Sequence, residues 1–338
     1  MILVTGATGL VGGHLIWHLL QENEKIAATK RVTSKLEALR KIFSFYTDDP
    51  DKFIARIEWR IADISDKKSL ADAIKGVEDV YHCAAVVSLG NNPGKMSEVN
   101  IEGTRNIVEV ALTAKIRKFC FVSSIAACGW KDDESLIDEN TVWEDNEARS
   151  PYSRSKYFSE FEVWKVIKAG LNAVIVNPGV ILGYSGTESG SSQLFSVVRK
   201  GLPFYIDGGS GYVAVQDVVK AMILLMKSDV SSERFILVED NYTNKQILGS
   251  MAKGFGRKLP LIKIGDGLIR FAGTILEFAG KLFRVTPLLD RKMASTATKR
   301  SFYSAEKFKT AFNYEFYPIE NCIEDVCKAI IKERNQGN

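Results

Sequence analysis

The sequence predicts an α/β fold, a doubly wound parallel sheet with a smaller C-terminal substrate lobe. Two observations carry that expectation. Short β-branched and aliphatic runs recur at Ile2 to Val4, Lys25 to Thr29, Ile57 to Ile61, Val80 to Cys83, Lys118 to Ser123 and Leu171 to Val176, as in strands buried within a parallel sheet. Segments of helical spacing separate them, and alternating strands and helices build such sheets. The sheet domain is expected over residues 1–182 with 213–240, and the lobe over 183–212 with 241–338.

The totals fit a globular chain of 338 residues with 46% hydrophobic and 25% charged residues. A net charge of +4 without a block of like charges gives no support for nucleic-acid binding. The five cysteines form no Cys-x-x-Cys pair and read as free thiols in a reducing compartment. With three histidines, no metal site is expected. No uncharged apolar stretch of about 18 residues marks an integral membrane segment. The chain starts directly in a strand, so no signal peptide is read and the cytoplasm is expected.

Taken in order, the first strand runs into Thr5-Gly-Ala-Thr-Gly-Leu-Val-Gly12, and His14 to Leu20 has helical spacing. Strand, glycine turn and helix form a dinucleotide site. Gly6 permits the turn, Gly9 admits the pyrophosphate and Gly12 lets helix and strand pack closely. Thr8, Leu10 and Val11 complete the turn and the helix N-terminus, whose free N–H groups face the phosphates. After the second strand comes Lys30-Arg-Val-Thr-Ser-Lys35, with no acid before Glu37. An acid there would suit the ribose of NAD, and a base the 2′-phosphate of NADP. The choice is NADP, with NAD as the alternative: Arg31 is the bidentate partner and Lys35 or Ser34 assists. The competing reading is a solvated turn. Ser34 also reads as the cap of a helix to Phe45, which Asp48-Asp-Pro50 breaks.

The third strand delivers Asp63 and Ile64, and a helix spans Ser69 to Ile74. The fourth runs into His82-Cys-Ala-Ala85, where Ala84 and Ala85 let the cofactor lie on the backbone. His82, just before the strand edge, reads as a residue pointing into the fold. After a turn cluster at Gly90 to Gly94, a long amphipathic helix spans Ser97 to Ala114. The fifth strand ends in Ser123-Ser124, and Ser150-Pro-Tyr-Ser-Arg-Ser-Lys156 opens a helix with Ser150 as cap and Pro151 at its first position. Tyr152 and Lys156 then share one helix face. Carbonyl reduction needs a proton donor at the oxygen, and a phenol serves only if its anion is stabilised; Lys156 supplies that charge. After the sixth strand, Pro178, Gly179 and Val180 turn the chain over the nicotinamide. Tyr184 to Ser192 reads as a substrate lid or a loose crossing. Leu261 to Phe283 reads as helices over the lobe's core, or as a wall for a hydrophobic substrate or a membrane surface.

The glycine spacing, the strand ending in Ser-Ser and Tyr152-x-x-x-Lys156, in this order, resemble the extended short-chain dehydrogenase/reductase superfamily over about residues 1–220. That resemblance implies a Rossmann-type domain. It implies Ser124 rather than Ser123 as the serine that orients the substrate oxygen, Asp63 at the adenine amino group, and Asn100 as a support and proton-relay residue in the helix. Asn177-Pro178, where sugar-nucleotide members carry Arg-Pro, is similar to dihydroflavonol and cinnamoyl-CoA reductases. Gly209-Ser-Gly-Tyr212 lacks the arginine that binds a substrate pyrophosphate in sugar-nucleotide enzymes, with Arg199 nearby as the alternative partner for one. The implied activity is NADPH-dependent reduction of a hydrophobic ketone or aldehyde, or oxidation of the matching alcohol. An epimerase or dehydratase retaining NAD, a 3β-hydroxysteroid-type dehydrogenase and a non-catalytic nucleotide sensor are the alternatives. The helices Ser97 to Ala114 and Pro151 to Ala169 resemble those that pair in homodimers, with Phe158, Phe161 and Trp164 turned either to that contact or to the sheet.

Overall fold

A computed structural model of the protein describes residues 1–86, 93–131, 135–146, 149–186, 190–265 and 299–336. Ile2–Thr5 (β1), Leu10–Glu22 (α1) and Ile26–Lys30 (β2) open the chain. Glu37–Ser44 (α2), Pro50–Ile54 (α3), Ile57–Ile61 (β3), Lys67–Ala73 (α4) and Asp79–His82 (β4) follow. Then come Pro93–Thr113 (α5), Lys118–Val122 (β5), Pro151–Lys168 (α6) and Ala173–Pro178 (β6). Beyond them lie Val180–Leu182 (β7), Ser192–Arg199 (α7), Phe204–Ile206 (β8), Gly209–Ala214 (β9), Val215–Lys227 (α8) and Glu233–Leu237 (β10). Asp240–Thr243 (β11), Asn244–Gly254 (α9), Ile262–Ile264 (β12), Glu306–Phe312 (α10) and Ile319–Gln336 (α11) complete the described elements.

Seven strands form one sheet in the order β10-β6-β5-β4-β1-β2-β3, and every neighbouring pair is parallel. The chain winds outward from β1 to β3, then returns to lay β4 on the other side of β1. That reversal opens a crevice at the carboxyl ends of β1 and β4. Residue alternation explains why the sheet is covered on both faces. Val4, Ala28, Tyr81, Cys120 and Val174 pack into one core, whereas Leu3, Ala27, Val80, Phe119 and Ile175 pack into the other. A third core, with Leu182, Phe195, Tyr212, Met251 and Ile323, lies under the later elements, where β11-β9-β7 form a small sheet and β12 pairs with β8.

Several boundaries differ from the sequence expectation for local reasons. The first helix begins at Leu10 rather than His14, because the glycines sit inside its first turns. Ser34 caps no helix: its hydroxyl accepts the Arg31 N–H at 3.1 Å, and α2 starts beyond it without a side-chain cap. Asp49 and Pro50 do more than end a helix, since Asp49 accepts the Lys52 N–H at 3.3 Å and Pro50 is the first residue of α3. On α6, Phe161 is 48% exposed while Val163 and Val166 pack on the sheet, so the apolar residues of this helix divide between its two faces. Of the Leu261 to Phe283 stretch, residues 266–283 lie outside the described residues, as do 90–92 of the turn cluster and 187–189 of the loop after Tyr184. Among the described residues no helix is long and apolar enough to cross a membrane, and no group of metal-ligating side chains gathers.

Candidate active site

The glycine turn is shaped by backbone contacts. Gly6 has φ +71°, and a Cβ on it would stand 2.6 Å from the Ala84 nitrogen. A Cβ on Gly12 would stand 2.2 Å from the Gly6 oxygen, so only glycine lets α1 lie this close to β1. Gly9 is exposed, takes φ −87° at the helix N-cap and has no side chain to close it. The Gly13 N–H donates to the Gly9 carbonyl at 2.8 Å, which leaves the N–H groups of Leu10, Val11 and Gly12 ahead of the helix ladder. No acid occupies the first turn. Thr8 is half-buried beside this end, and Ala84 and Ala85 are half-buried at the end of β4. An open, positively polarised helix end over a floor without side chains fits a dinucleotide pyrophosphate.

Arg31 and Lys35 are exposed just beyond β2. Asp63 lies beyond β3, where the Ser65 hydroxyl and N–H donate to its Oδ1 at 2.7 and 2.9 Å. These bonds hold its carboxyl below the usual range, with the nearby Arg31 charge contributing less. Ile64 fills the space over Gly103 of α5, where a Cβ would stand 2.7 Å from its Cδ1. Its carbonyl accepts Asn106 Nδ2 at 3.0 Å.

The two serines after β5 separate. Ser123 is buried and donates to Glu160 Oε2 at 2.8 Å. Ser124 starts a 3₁₀ turn at Ile125–Ala127, accepting the Ala126 N–H at 3.1 Å, and its hydroxyl lies beside the Tyr152 phenol. Ser150 fixes the start of α6 by accepting the Ser153 N–H at 3.0 Å. Burial raises the Tyr152 pKa, and the neighbouring Ser124 hydroxyl opposes that rise. Lys156, one turn on, is 5% exposed and donates to the Val122 carbonyl at 3.0 Å. Burial lowers its ammonium to about 8, against the opposing influence of Cys83 and Glu160.

Asn100 reaches neither Tyr152 nor Lys156 by its recorded bonds. Its side chain accepts the Val86 N–H at 2.7 Å and donates to the Val86 carbonyl at 2.9 Å, with a longer 3.4 Å bond to Ser155. It therefore clamps the segment after β4 onto α5. His82 points into the fold: Nδ1 meets the Thr5 hydroxyl at 2.7 Å, the ring stacks on Phe121, and burial lowers its pKa to about 3. Pro178 ends β6, and the Gly179 N–H donates to Leu237 at 2.9 Å. A Cβ on Gly179 would stand 2.5 Å from the Gly211 oxygen. Val180 pairs with Tyr212 as the chain leaves the main sheet.

Sequence reasoning missed the polar assembly behind these residues. Glu160 is 2% exposed on α6. Besides Ser123, its Oε2 accepts Asn177 Nδ2 at 2.8 Å, while Oε1 accepts Arg234 Nη1 at 3.0 Å and Trp164 Nε1 at 3.3 Å. Asn177 Nδ2 also donates to the Ser124 carbonyl at 3.0 Å. The available signal was Tyr152, Lys156 and Glu160 at successive four-residue steps along one helix face.

Known proteins place this architecture. The model of the NAD dependent epimerase/dehydratase family matches residues 2–237, from β1 to the end of β10. The chain belongs to that family. It is 29% identical over 272 residues to sterol demethylase protein B of Methylococcus capsulatus, covering 79% of this chain and 78% of that protein. It is 24% identical over 345 residues to cinnamoyl-CoA reductase 1 of Petunia hybrida, covering 98% and 92%. A putative dihydroflavonol 4-reductase of Synechocystis is 29% identical over 265 residues, covering 76% and 73%. The solved structure of gox2253 superposes with TM-score 0.81 at 28% identity, covering 100% of this chain and 98% of that one. The family fold extends to a UDP-glucose 4-epimerase of Thermotoga maritima, with TM-score 0.77, 18% identity and coverage of 98% and 99%.

Proposed function

We propose that the protein is an NADPH-dependent reductase of a hydrophobic ketone or aldehyde, working with Ser124, Tyr152 and Lys156. The observation that carries the reading is the grouping of the Ser124 hydroxyl beside the Tyr152 phenol, whose pKa it helps to hold down, with a buried Lys156 one helical turn along the same helix. Gly6, Gly9 and Gly12, with the N–H groups of Leu10 and Val11, would hold the pyrophosphate. Arg31 and Lys35 would take the 2′-phosphate, Asp63 and Ile64 the adenine end, and Ala84, Ala85, Pro178, Gly179 and Val180 the nicotinamide half. Bound NADPH supplies the hydride.

The remaining chemistry belongs to the side chains. Ser124 holds the substrate oxygen by a hydrogen bond. Tyr152 gives its phenolic proton to that oxygen as negative charge develops there. The Lys156 ammonium stabilises the phenolate left behind, which brings the phenol toward the operating pH. Asn100 acts indirectly by fixing the Val86 backbone beside the cofactor floor. Two observations favour this reading over a sugar-nucleotide one. Arg31 and Lys35 follow β2 where NAD enzymes carry an acid. Gly211, in the stretch where a pyrophosphate-binding arginine would stand, is packed so that a Cβ would lie 2.7 Å from Val238 Cγ2. The five free cysteines suit a reducing cytoplasm, and the exposed Phe161 suits a homodimer through α5 and α6.

The test is Tyr152→Phe, assayed with NADPH and a panel of ketones and aldehydes beside NADPH binding. Cofactor affinity within about threefold of wild type with turnover lost supports the reading; surviving turnover removes Tyr152 from its role. Stoichiometric NAD⁺ retained through purification of the wild type would instead indicate internal hydride recycling by an epimerase or dehydratase.

A further inference from the structure

Glu160 is surrounded by donors. The hydroxyl of Ser123, the amide of Asn177, the guanidinium of Arg234 and the indole N–H of Trp164 converge on its two oxygens at 2.8 to 3.3 Å. A carboxylate accepts at both oxygens, whereas an amide or a protonated acid must direct a hydrogen at one of these partners. Asn177 and Arg234 reach this point from the paired strands β6 and β10, so the carboxylate ties α6 to the edge of the sheet. The tie continues to the reacting groups, because Asn177 Nδ2 donates to Glu160 and to the Ser124 carbonyl at 3.0 Å.

We propose that Glu160, with Asn177 as its arm, is a positioning residue for the Ser124–Tyr152–Lys156 site. It fixes the main chain at Ser124, and thereby the hydroxyl that meets Tyr152, and it places a buried negative charge one turn beyond Lys156 on the same helix. The inference rests on the catalytic reading above. Neither residue touches substrate or cofactor in this account; both act through Ser124 and Lys156.

The charge has a clear direction of effect. His82 from β4, Cys83 just beyond it, the Phe121 ring and Val122 carbonyl from β5, and Glu160 from α6 surround the Lys156 ammonium. Burial pulls its proton off, and Glu160 is one of the two groups that oppose this. Replacing Glu160 by glutamine removes that support and leaves the Arg234 charge without its counter-ion. Both changes make Lys156 lose its proton at lower pH.

The experiment compares wild type, Glu160→Gln, Asn177→Ala and Tyr152→Phe as full chains, by thermal unfolding, NADPH titration and reductase kinetics from pH 6 to 10. The expected result for Glu160→Gln is a kcat at least about tenfold lower, NADPH affinity within about threefold, and an alkaline limb shifted down by about one pH unit. Asn177→Ala keeps the carboxylate, so a similar loss of kcat is expected with the limb unmoved. Wild-type kcat and an unmoved limb in Glu160→Gln, with only a lower melting temperature, would assign it a structural role and overturn the proposal. Should Glu160→Gln yield no folded protein, Asn177→Ala decides: kcat at the wild-type level overturns the proposal, and a tenfold fall at unchanged NADPH affinity upholds it. Turnover by Tyr152→Phe would be a separate failure, that of the catalytic reading, whatever the other variants do.

Discussion

Two alanine substitutions in the glycine turn should separate folding from cofactor binding. In Gly12→Ala, the new methyl would lie 2.2 Å from the Gly6 oxygen and 2.8 Å from its carbonyl carbon. Both are backbone atoms, so α1 must move off β1 by about 1 Å to reach ordinary contact. Overpacking of this kind costs about 1–3 kcal/mol, and a melting temperature lower by roughly 1–4 °C is expected for a chain of this size. In Gly9→Ala, the methyl meets only the Gly6 oxygen at 3.3 Å and otherwise faces open space. Its φ of −87° is normal for alanine, so the melting temperature should stay within about 1 °C. That open space is where the pyrophosphate would approach, and about tenfold weaker NADPH binding is expected, near 1.4 kcal/mol. The assay is thermal unfolding without nucleotide beside NADPH fluorescence titration. Equal melting temperatures for the two variants, or unchanged NADPH affinity in Gly9→Ala, would refute the assignment of the two glycines to packing and ligand approach.

Other perturbations follow from buried charge. Burial lowers His14 to about 4 and His82 to about 3, so the native state binds fewer protons than the unfolded chain below pH 6.5. Stability therefore rises with pH across that window, and about 3 kcal/mol should be lost between pH 6.5 and 5; identical urea midpoints at pH 5 and 7 would contradict it. In the proposed mechanism Lys156 must keep its proton to stabilise the phenolate, so kcat/KM in the reductive direction should fall as pH rises through about 8, and a flat profile to pH 10 would exclude that role. Arg31→Ala should erode a preference for NADPH over NADH by about 10- to 100-fold in kcat/KM, since a charge-assisted bond contributes roughly 1.5–3 kcal/mol; an unchanged cofactor ratio would leave Arg31 as a solvated turn residue. Lys118, 2% exposed, donates to the Leu225 and Ser228 carbonyls at 2.6 and 2.7 Å at the end of α8. Lys118→Met strands both acceptors and should cost about 2–4 kcal/mol by denaturant unfolding, with melting unchanged as the contrary result.

Residues that act through short-range backbone rules were legible in the sequence. The glycine turn, Ser150 before Pro151, and Tyr152 with Lys156 on one face of α6 all follow from spacing alone. The alternation of strands and helices likewise predicted the sheet, because strands covered on both faces carry an apolar run that turns and caps interrupt. Ser34 failed for an instructive reason: its hydroxyl had two local partners, and the Arg31 N–H took it before α2 began. Long-range polar contacts were hidden. Nothing near Asn177 says that its amide joins Glu160, 17 residues earlier, to Ser124, and Arg234 is a further 57 residues away. Asn100 stands in α5, and its strongest side-chain bonds go to the backbone of Val86, a long-range contact that its surroundings in the sequence do not announce.

The sheet order also has a consequence for the nascent chain. The strand β1 pairs with β2 about twenty residues later, but its other edge is filled only by β4, with Ile2 opposite Asp79 and Thr5 opposite His82. While the intervening residues are being synthesised, the backbone of an apolar strand stays unpaired on that side, a template for another chain. Arrival of β4 closes that edge and brings Ala84 under Gly6 in the same step. The dinucleotide floor therefore comes into existence when the most vulnerable edge disappears, and the nucleotide can stabilise only chains that have passed that point.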